Sequence, residues 1–194
     1  MQILKEEVRE RIVAAAAKEF VRYGYRQSST RRIAQRARVG KSNLYNYFPG
    51  KQELFSAVTA PFQAHFRGLL DEVTGHLGGE SLRSDAAESI SRSIASFIRA
   101  NRDAFITIME GSEGTKYGSF KEEVISALAS HFAQNLSKKP ANDFALRTRF
   151  MHIVARLFVD ALIAIARGAA KDEEIEATIA LYLAYHMGGM AQFY

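Results

Sequence analysis

Residues 29–51 read STRRIAQRARVGKSNLYNYFPGK, a stretch with many hydrogen-bond donors and no carboxylate. Lys41 offers an ammonium able to donate to guanine O6 and N7, and the Asn43 amide can pair with an adenine edge through two bonds at once. Ser42 is small enough to let a backbone approach closely. The hydroxyls of Tyr45 and Tyr47 can reach phosphate oxygens while their rings pack on the protein. This is chemistry for holding and reading a polyanion. Catalytic patterns do not appear: there is no HExxH, phosphate loop or nucleophile elbow. The five histidines (65, 76, 131, 152 and 186) do not cluster with acids at metal spacing, so no metal, no cofactor and no enzyme activity is expected.

The charge distribution points the same way. Residues 1–51 hold twelve Lys/Arg against four Asp/Glu, a net of +8, whereas residues 52–194 hold fourteen against seventeen, a net of −3. A basic head on a mildly acidic body fits a polyanionic partner for the head alone. A solvated basic face would look the same by charge.

These residues need short helices to present them. Val8, Ile12, Ala15 or Ala16, Phe20 and Tyr23 recur at helical spacing, which predicts a first helix ending at Gly24. Ser28, Ser29 and Thr30 are good N-cap types, and a second helix is expected over about 30–37 with Ile33, Ala34 and Ala37 inward. Val39-Gly40 reads as a turn, and a third helix over about 41–48 buries Leu44 and Phe48 before Pro49-Gly50 stops it. Two short helices across a tight turn are a helix-turn-helix arrangement, with a generic helical hairpin as the plain alternative. Arg31 and Arg32, Lys41 and Lys51 all stand at helix starts, where the macrodipole disfavours a cation by roughly 0.3–1 kcal/mol. Such placement makes sense if each start faces a phosphate.

The segment IAQRARVGKSNLYNYFPGKQELF resembles the DNA-binding head of the TetR (tetracycline repressor) family of bacterial regulators. The matching features are Phe20-x-x-x-Gly24-Tyr25, Ile33-Ala34, Val39, Leu44-Tyr45-x-Tyr47-Phe48 and Lys51-x-x-Leu54-Phe55, over about 45 residues. Carried over by position, the resemblance implies phosphate contacts from Thr30, Tyr45, Tyr47 and Lys51. It implies base contacts from Arg31, Lys41, Ser42 and Asn43. Two positions depart from the family pattern. Arg38 stands at a turn site often held by Gly, where a left-handed conformation would cost roughly 1–2 kcal/mol, and Gly40 replaces a frequent Ser cap.

The expected fold is all-α, with about nine helices: a helix-turn-helix DNA-binding head over 1–50 (motif 29–48) and an effector-binding and dimerisation bundle over 51–194. Helices are expected from Lys51 through a kink at Pro61, then at about 85–100, 102–111, 120–137, 142–168 and 172–188. Loops or breaks are expected at 75–85, near Asn101, at GSEGTKYGS, at SKKPAN and around Gly168. The resemblance implies a homodimer through the last two helices, about 142–168 and 172–188, on a near-palindromic double-stranded DNA operator. Residues 145–170 are apolar nearly all round, and the uncharged run 177–194 offers Ala180, Ala184 and Gly188 for close approach, so a subunit interface is expected there rather than a membrane span.

The resemblance also implies a small-molecule effector of unspecified identity. Candidates to line its cavity are Phe97, Phe105, Met109, Phe120, Phe132, His152 and Phe158, although aromatics at helical spacing more often form plain core. Arg156 and Asp160 suggest an intrahelical ion pair. With no cysteine and no secretory signal pattern, a cytoplasmic location is expected, and the resemblance implies a repressor released by that effector. An architectural DNA binder would instead show a small specificity ratio, and a helical adaptor no salt-dependent DNA binding.

Overall fold

A computed structural model of the chain describes residues 2–76, 84–135 and 144–190, all-helical with no strand among them. In order the helices are α1 (Gln2–Gln27), α2 (Thr30–Arg36), α3 (Lys41–Tyr47), α4 (Lys51–His76), α5 (Ser84–Gly111), α6 (Phe120–Asn135), α7 (Phe144–Gly168) and α8 (Asp172–Met190). Parts of the loop expected at 75–85 and all of the break expected at SKKPAN lie outside the described residues.

Local breaks fall where the sequence places them, with two differences. Helical geometry fails at Gly24 (φ 66°, ψ 172°), but a further turn follows to Gln27. The two helices expected over 85–111 are one, bent at Asn101 (φ −128°, ψ 23°). The Asn101 amide donates to the Phe97 carbonyl at 3.0 Å, which satisfies an acceptor that the bend would otherwise strand. Pro61 lies inside α4.

The helices divide into two compact units: residues 1–64 with 103–121, and residues 65–102 with 122–194. The first is built on aromatic packing. Phe20 meets Phe55 edge-on at 5.4 Å, Tyr25 meets Phe55 at 5.4 Å, and Tyr117 stacks on Phe55 at 6.3 Å. Phe20, Phe55 and Phe62 are among the largest fully buried side chains. Burial of each contributes about 1.5–3 kcal/mol. Gly24 packs backbone to backbone on the end of α5: a β-carbon at Gly111 would lie 3.3 Å from both Gly24 Cα and the Phe20 carbonyl oxygen.

In the second unit α7 and α8 pack together, and Ile163, Ile175, Ile179, Leu183 and Met187 are buried. Arg102 donates to the Ala166 and Ala169 carbonyls at 2.6 and 2.5 Å, satisfying the C-terminal end of α7. Arg156 directs both terminal guanidinium nitrogens to Glu122 of α6, an inter-helix pair beside the intrahelical attraction to Asp160. That bond, rather than its neighbour on α7, leads the causes that raise the Arg156 pKa.

Candidate nucleic-acid interface

α2 and α3 are each too short to hold themselves in water, so their order comes from the core beneath them. Ile33 and Ala34 from α2 with Ala37 at its C-cap, and Leu44 from α3 with Phe48 at its C-cap, are all buried in one cluster with Ile12, Ala16 and Phe20 of α1. Once those faces turn inward, helical periodicity forces Arg31, Lys41, Ser42, Asn43 and Tyr45 outward, and all five are exposed. Tyr47 and Thr30 are half-buried.

The turn between them closes by a Schellman motif. Val39 N–H donates to the Ala34 carbonyl at 3.0 Å and Arg38 N–H to the Gln35 carbonyl at 3.1 Å. The geometry demands a left-handed residue at position 38, and Arg38 adopts it with φ 56°. Gly40 caps α3 in an extended conformation (φ −67°, ψ 148°) with no side-chain cap bond. The motif thus presents the first turn of α3, Lys41-Ser42-Asn43, clear of the turn. Thr30 and Tyr45 meet through their hydroxyls at 3.3 Å, tying the start of α2 to α3, and the Lys41 ammonium lies 5.9 Å from the Tyr45 ring centre.

Two of the cations at helix starts are accounted for within the protein. Lys51 Nζ donates to the carbonyls of Tyr25 (2.6 Å), Arg26 (3.3 Å) and Ser28 (3.3 Å), and lies 4.4 Å over the Tyr25 ring. It therefore satisfies the carbonyl end of α1, and burial lowers its pKa. Arg32 Nε donates to Glu19 at 2.6 Å. Sequence periodicity held a signal for this pair: Glu19 sits on the inward stripe of α1 between Ala16 and Phe20, and a carboxylate there needs a partner. Arg31 and Lys41 keep their charges toward solvent.

The seven residues put forward for an effector cavity are divided between the two units. Phe105, Met109 and Phe120 lie in the first unit, where Phe62 meets Phe105 at 6.2 Å and Phe120 at 5.7 Å. Phe97, Phe132, His152 and Phe158 lie in the second. There Phe97 packs on Phe66 at 6.2 Å, and Phe132 meets Phe158 edge-on at 6.4 Å. His152 is half-buried on α7. Sequence reading missed His186, whose ring lies 4.9 Å from Phe158 and 6.0 Å from Phe132, with Tyr182 at 5.7 Å. Its Nε2 is buried without a hydrogen-bond partner, and burial pushes its pKa down to about 4. The Tyr182 hydroxyl is raised to about 12, first by burial and then by Tyr185. A cleft of about 280 Å³ opens elsewhere, in the first unit, between Val13, Ala14 and Ala17 of α1, Ala57 and Val58 of α4, and Ala104.

Among the described residues no three His, Asp or Glu converge as a metal-ligand set, and no helix is long and apolar enough to cross a membrane.

Residues 12–58 match the family model described as bacterial regulatory proteins, tetR family. The chain is 25% identical over 131 residues to the HTH-type transcriptional regulator YhgD of Bacillus subtilis (strain 168), a match covering 66% of this chain and 64% of YhgD. It thus spans somewhat less than two thirds of that relative. Two solved structures share the fold: a TetR-like transcriptional regulator from Rhodococcus sp. RHA1 (TM-score 0.58, 17% identity, 94% of this chain and 96% of that one) and the TetR family transcriptional regulator PfmR from Thermus thermophilus (TM-score 0.59, 18% identity, 92% and 95%). Residues 12–58 are thus similar to the tetR family of bacterial regulatory proteins, and the chain that carries them shares the all-helical fold of the two regulators.

Proposed function

We propose that this protein is a sequence-specific, DNA-binding transcriptional regulator that acts in the cytoplasm as a dimeric repressor and leaves its operator on binding a small molecule. The observation that carries the reading is the first turn of α3: Lys41, Ser42 and Asn43 stand exposed together on a helix locked from beneath by Leu44 and Phe48. Rigid backing with a polar, cationic edge is what reading base edges in a major groove requires. In this reading Arg31, Lys41, Ser42 and Asn43 approach bases, and Thr30, Tyr45 and Tyr47 hold phosphates. Lys51 reaches a phosphate only by releasing part of its hold on the α1 carbonyls.

One recognition helix spans a few base pairs, so affinity calls for a second copy. α8 offers the surface: Leu181 and Tyr185 are 74% and 80% exposed, with Ala177, Ala180, Ala184 and Gly188 exposed beside them, and Ile153 and Leu157 of α7 are exposed as well. A large apolar face rimmed by small residues suits a four-helix interface between identical subunits. The effector acts on residues 65–190, and α4, which contributes to both units, carries the shift toward the head.

Footprinting on the DNA upstream of the gene tests this: protection of an inverted repeat with centres about one helical turn apart is expected, with affinity falling steeply as salt rises. Asn43→Ala should relax preference at one base pair per half-site by about 1–3 kcal/mol. Protection without sequence preference would make the protein an architectural binder instead.

A further inference from the structure

We infer that Glu19 is a positioning residue for DNA reading, acting through Arg32 and the Ser29 N–H to fix the angle at which α2 leaves α1. The inference rests on the DNA-reading function proposed above. Glu19 is fully buried. Its Oε1 accepts from Ser29 N–H at 3.1 Å and from Arg32 Nε at 2.6 Å. Arg32 is held on two further sides: Nη2 donates to the Gln27 carbonyl at 2.7 Å, and the guanidinium lies 4.4 Å over the Tyr23 ring. One carboxylate on α1 thus gathers the last turn of α1, the residue before α2 and the first turn of α2.

The links run on to the reading surface. Ser29, the N-cap residue of α2, makes no side-chain cap bond, so the Glu19 carboxylate is what orients its peptide. Thr30 follows Ser29 directly, and its hydroxyl meets Tyr45 on α3. Arg31 precedes Arg32, so clamping Arg32 sets the direction in which Arg31 leaves the helix. A tilt of α2 would therefore displace Thr30 and Arg31 and pull on Tyr45.

Stability alone does not account for the carboxylate. Glu19 Oε2 is buried with no hydrogen-bond partner, and Phe20 and Ala16 beside it show that the stripe accepts apolar side chains. Replacing a buried ion pair by apolar residues is often neutral or stabilising, whereas the best-attested use of such a pair is to select one register of packing. Here the register selected is that of α2 on α1. Arg32 then adds nothing to the count of phosphate contacts, although it lies within the basic motif.

The test uses the full-length protein and a random-sequence duplex library. Duplexes enriched by the wild type are compared with scrambled duplexes of the same composition, by affinity and by the dependence of affinity on salt. Glu19→Gln and Arg32→Leu should each lower the enriched-to-scrambled affinity ratio about tenfold, within the range one mismatched base pair costs. The log–log salt slope should stay within about half a unit, because no phosphate contact is lost. A wild-type ratio in both variants overturns the inference, and so does a slope that falls by about one in Arg32→Leu, which would place Arg32 on a phosphate. Should either single variant fail to fold by circular dichroism, Glu19→Leu/Arg32→Leu decides: a folded double variant with a lowered ratio supports positioning, and one with the wild-type ratio refutes it. Failure of the wild type to enrich any duplex is a separate result and overturns the DNA-reading function itself.

Discussion

Arg38→Gly should stabilise the protein. Arg38 occupies the left-handed position of the turn between α2 and α3 with φ 56°, and the two carbonyl bonds of the Schellman motif hold it there. A side chain in that conformation costs roughly 1–2 kcal/mol, and glycine removes the cost. Glycine also loosens the unfolded chain, which takes back about 0.4–1 kcal/mol. The Arg38 side chain is exposed, so little packing is lost. The net gain expected is about 0.5–1 kcal/mol, or about 1–4 °C in melting temperature for a chain of this length. Arg38→Ala is the reference, since it removes the same charge and keeps the strained backbone. Urea denaturation followed by circular dichroism should place the Gly variant above the Ala variant at equal slope. Coincident midpoints for the two would refute the claim that backbone strain is stored in this turn.

Lys51→Ala should lower stability by about 1–2 kcal/mol, because three carbonyls at the end of α1 lose a charged donor, and should also weaken binding to every duplex about equally; unchanged stability would mean that the lysine caps nothing in solution. Acid should weaken the fold through His186. With a folded pKa near 4 against about 6.5 when unfolded, its contribution is intact above about pH 6.5 and is lost progressively down to about pH 4, for a total on the order of 3 kcal/mol. Burial lowers His131 too, with the same sign. Stability measured against pH in His186→Phe should be flatter across that window; an unchanged profile would remove His186 as the cause. Leu181→Glu/Tyr185→Glu should yield a folded monomer in analytical ultracentrifugation, whereas a retained dimer would move the interface away from α8.

The head was legible from sequence because its determinants are local. Three- and four-residue spacing put Ile33, Leu44 and Phe48 inward, and that alone forces Lys41, Ser42 and Asn43 out. What sequence could not supply were partners far along the chain. Lys51 looked like a cation misplaced at a helix start until folding brought the Tyr25, Arg26 and Ser28 carbonyls to it. Arg156 feels the acid one turn away in sequence, but its pairing with Glu122 on another helix could not be read there. The candidate cavity residues show the same limit. Periodicity correctly turns Phe105, Met109, Phe132 and Phe158 inward, but it carries no information on which unit each one enters. α5 is divided between the units just past its bend at Asn101, and Phe105 and Met109 fall in the first.

The contact between Gly24 and Gly111 has a consequence for the order of events during synthesis. The three N-terminal helices and the start of α4 are complete once residue 64 has emerged, yet their unit also needs residues 103–121. A chain growing at about 5–20 residues per second reaches residue 121 roughly 3–11 s later. Until then the aromatic face of Phe55 and Phe62 lacks Tyr117, Phe105 and Phe120. Closing that face joins segments far apart in the chain and is slow relative to the local helices. The nascent head therefore has helices before it has a finished core, and the ribosome-bound chain should remain open to protease near Gly24 until the end of α5 has arrived.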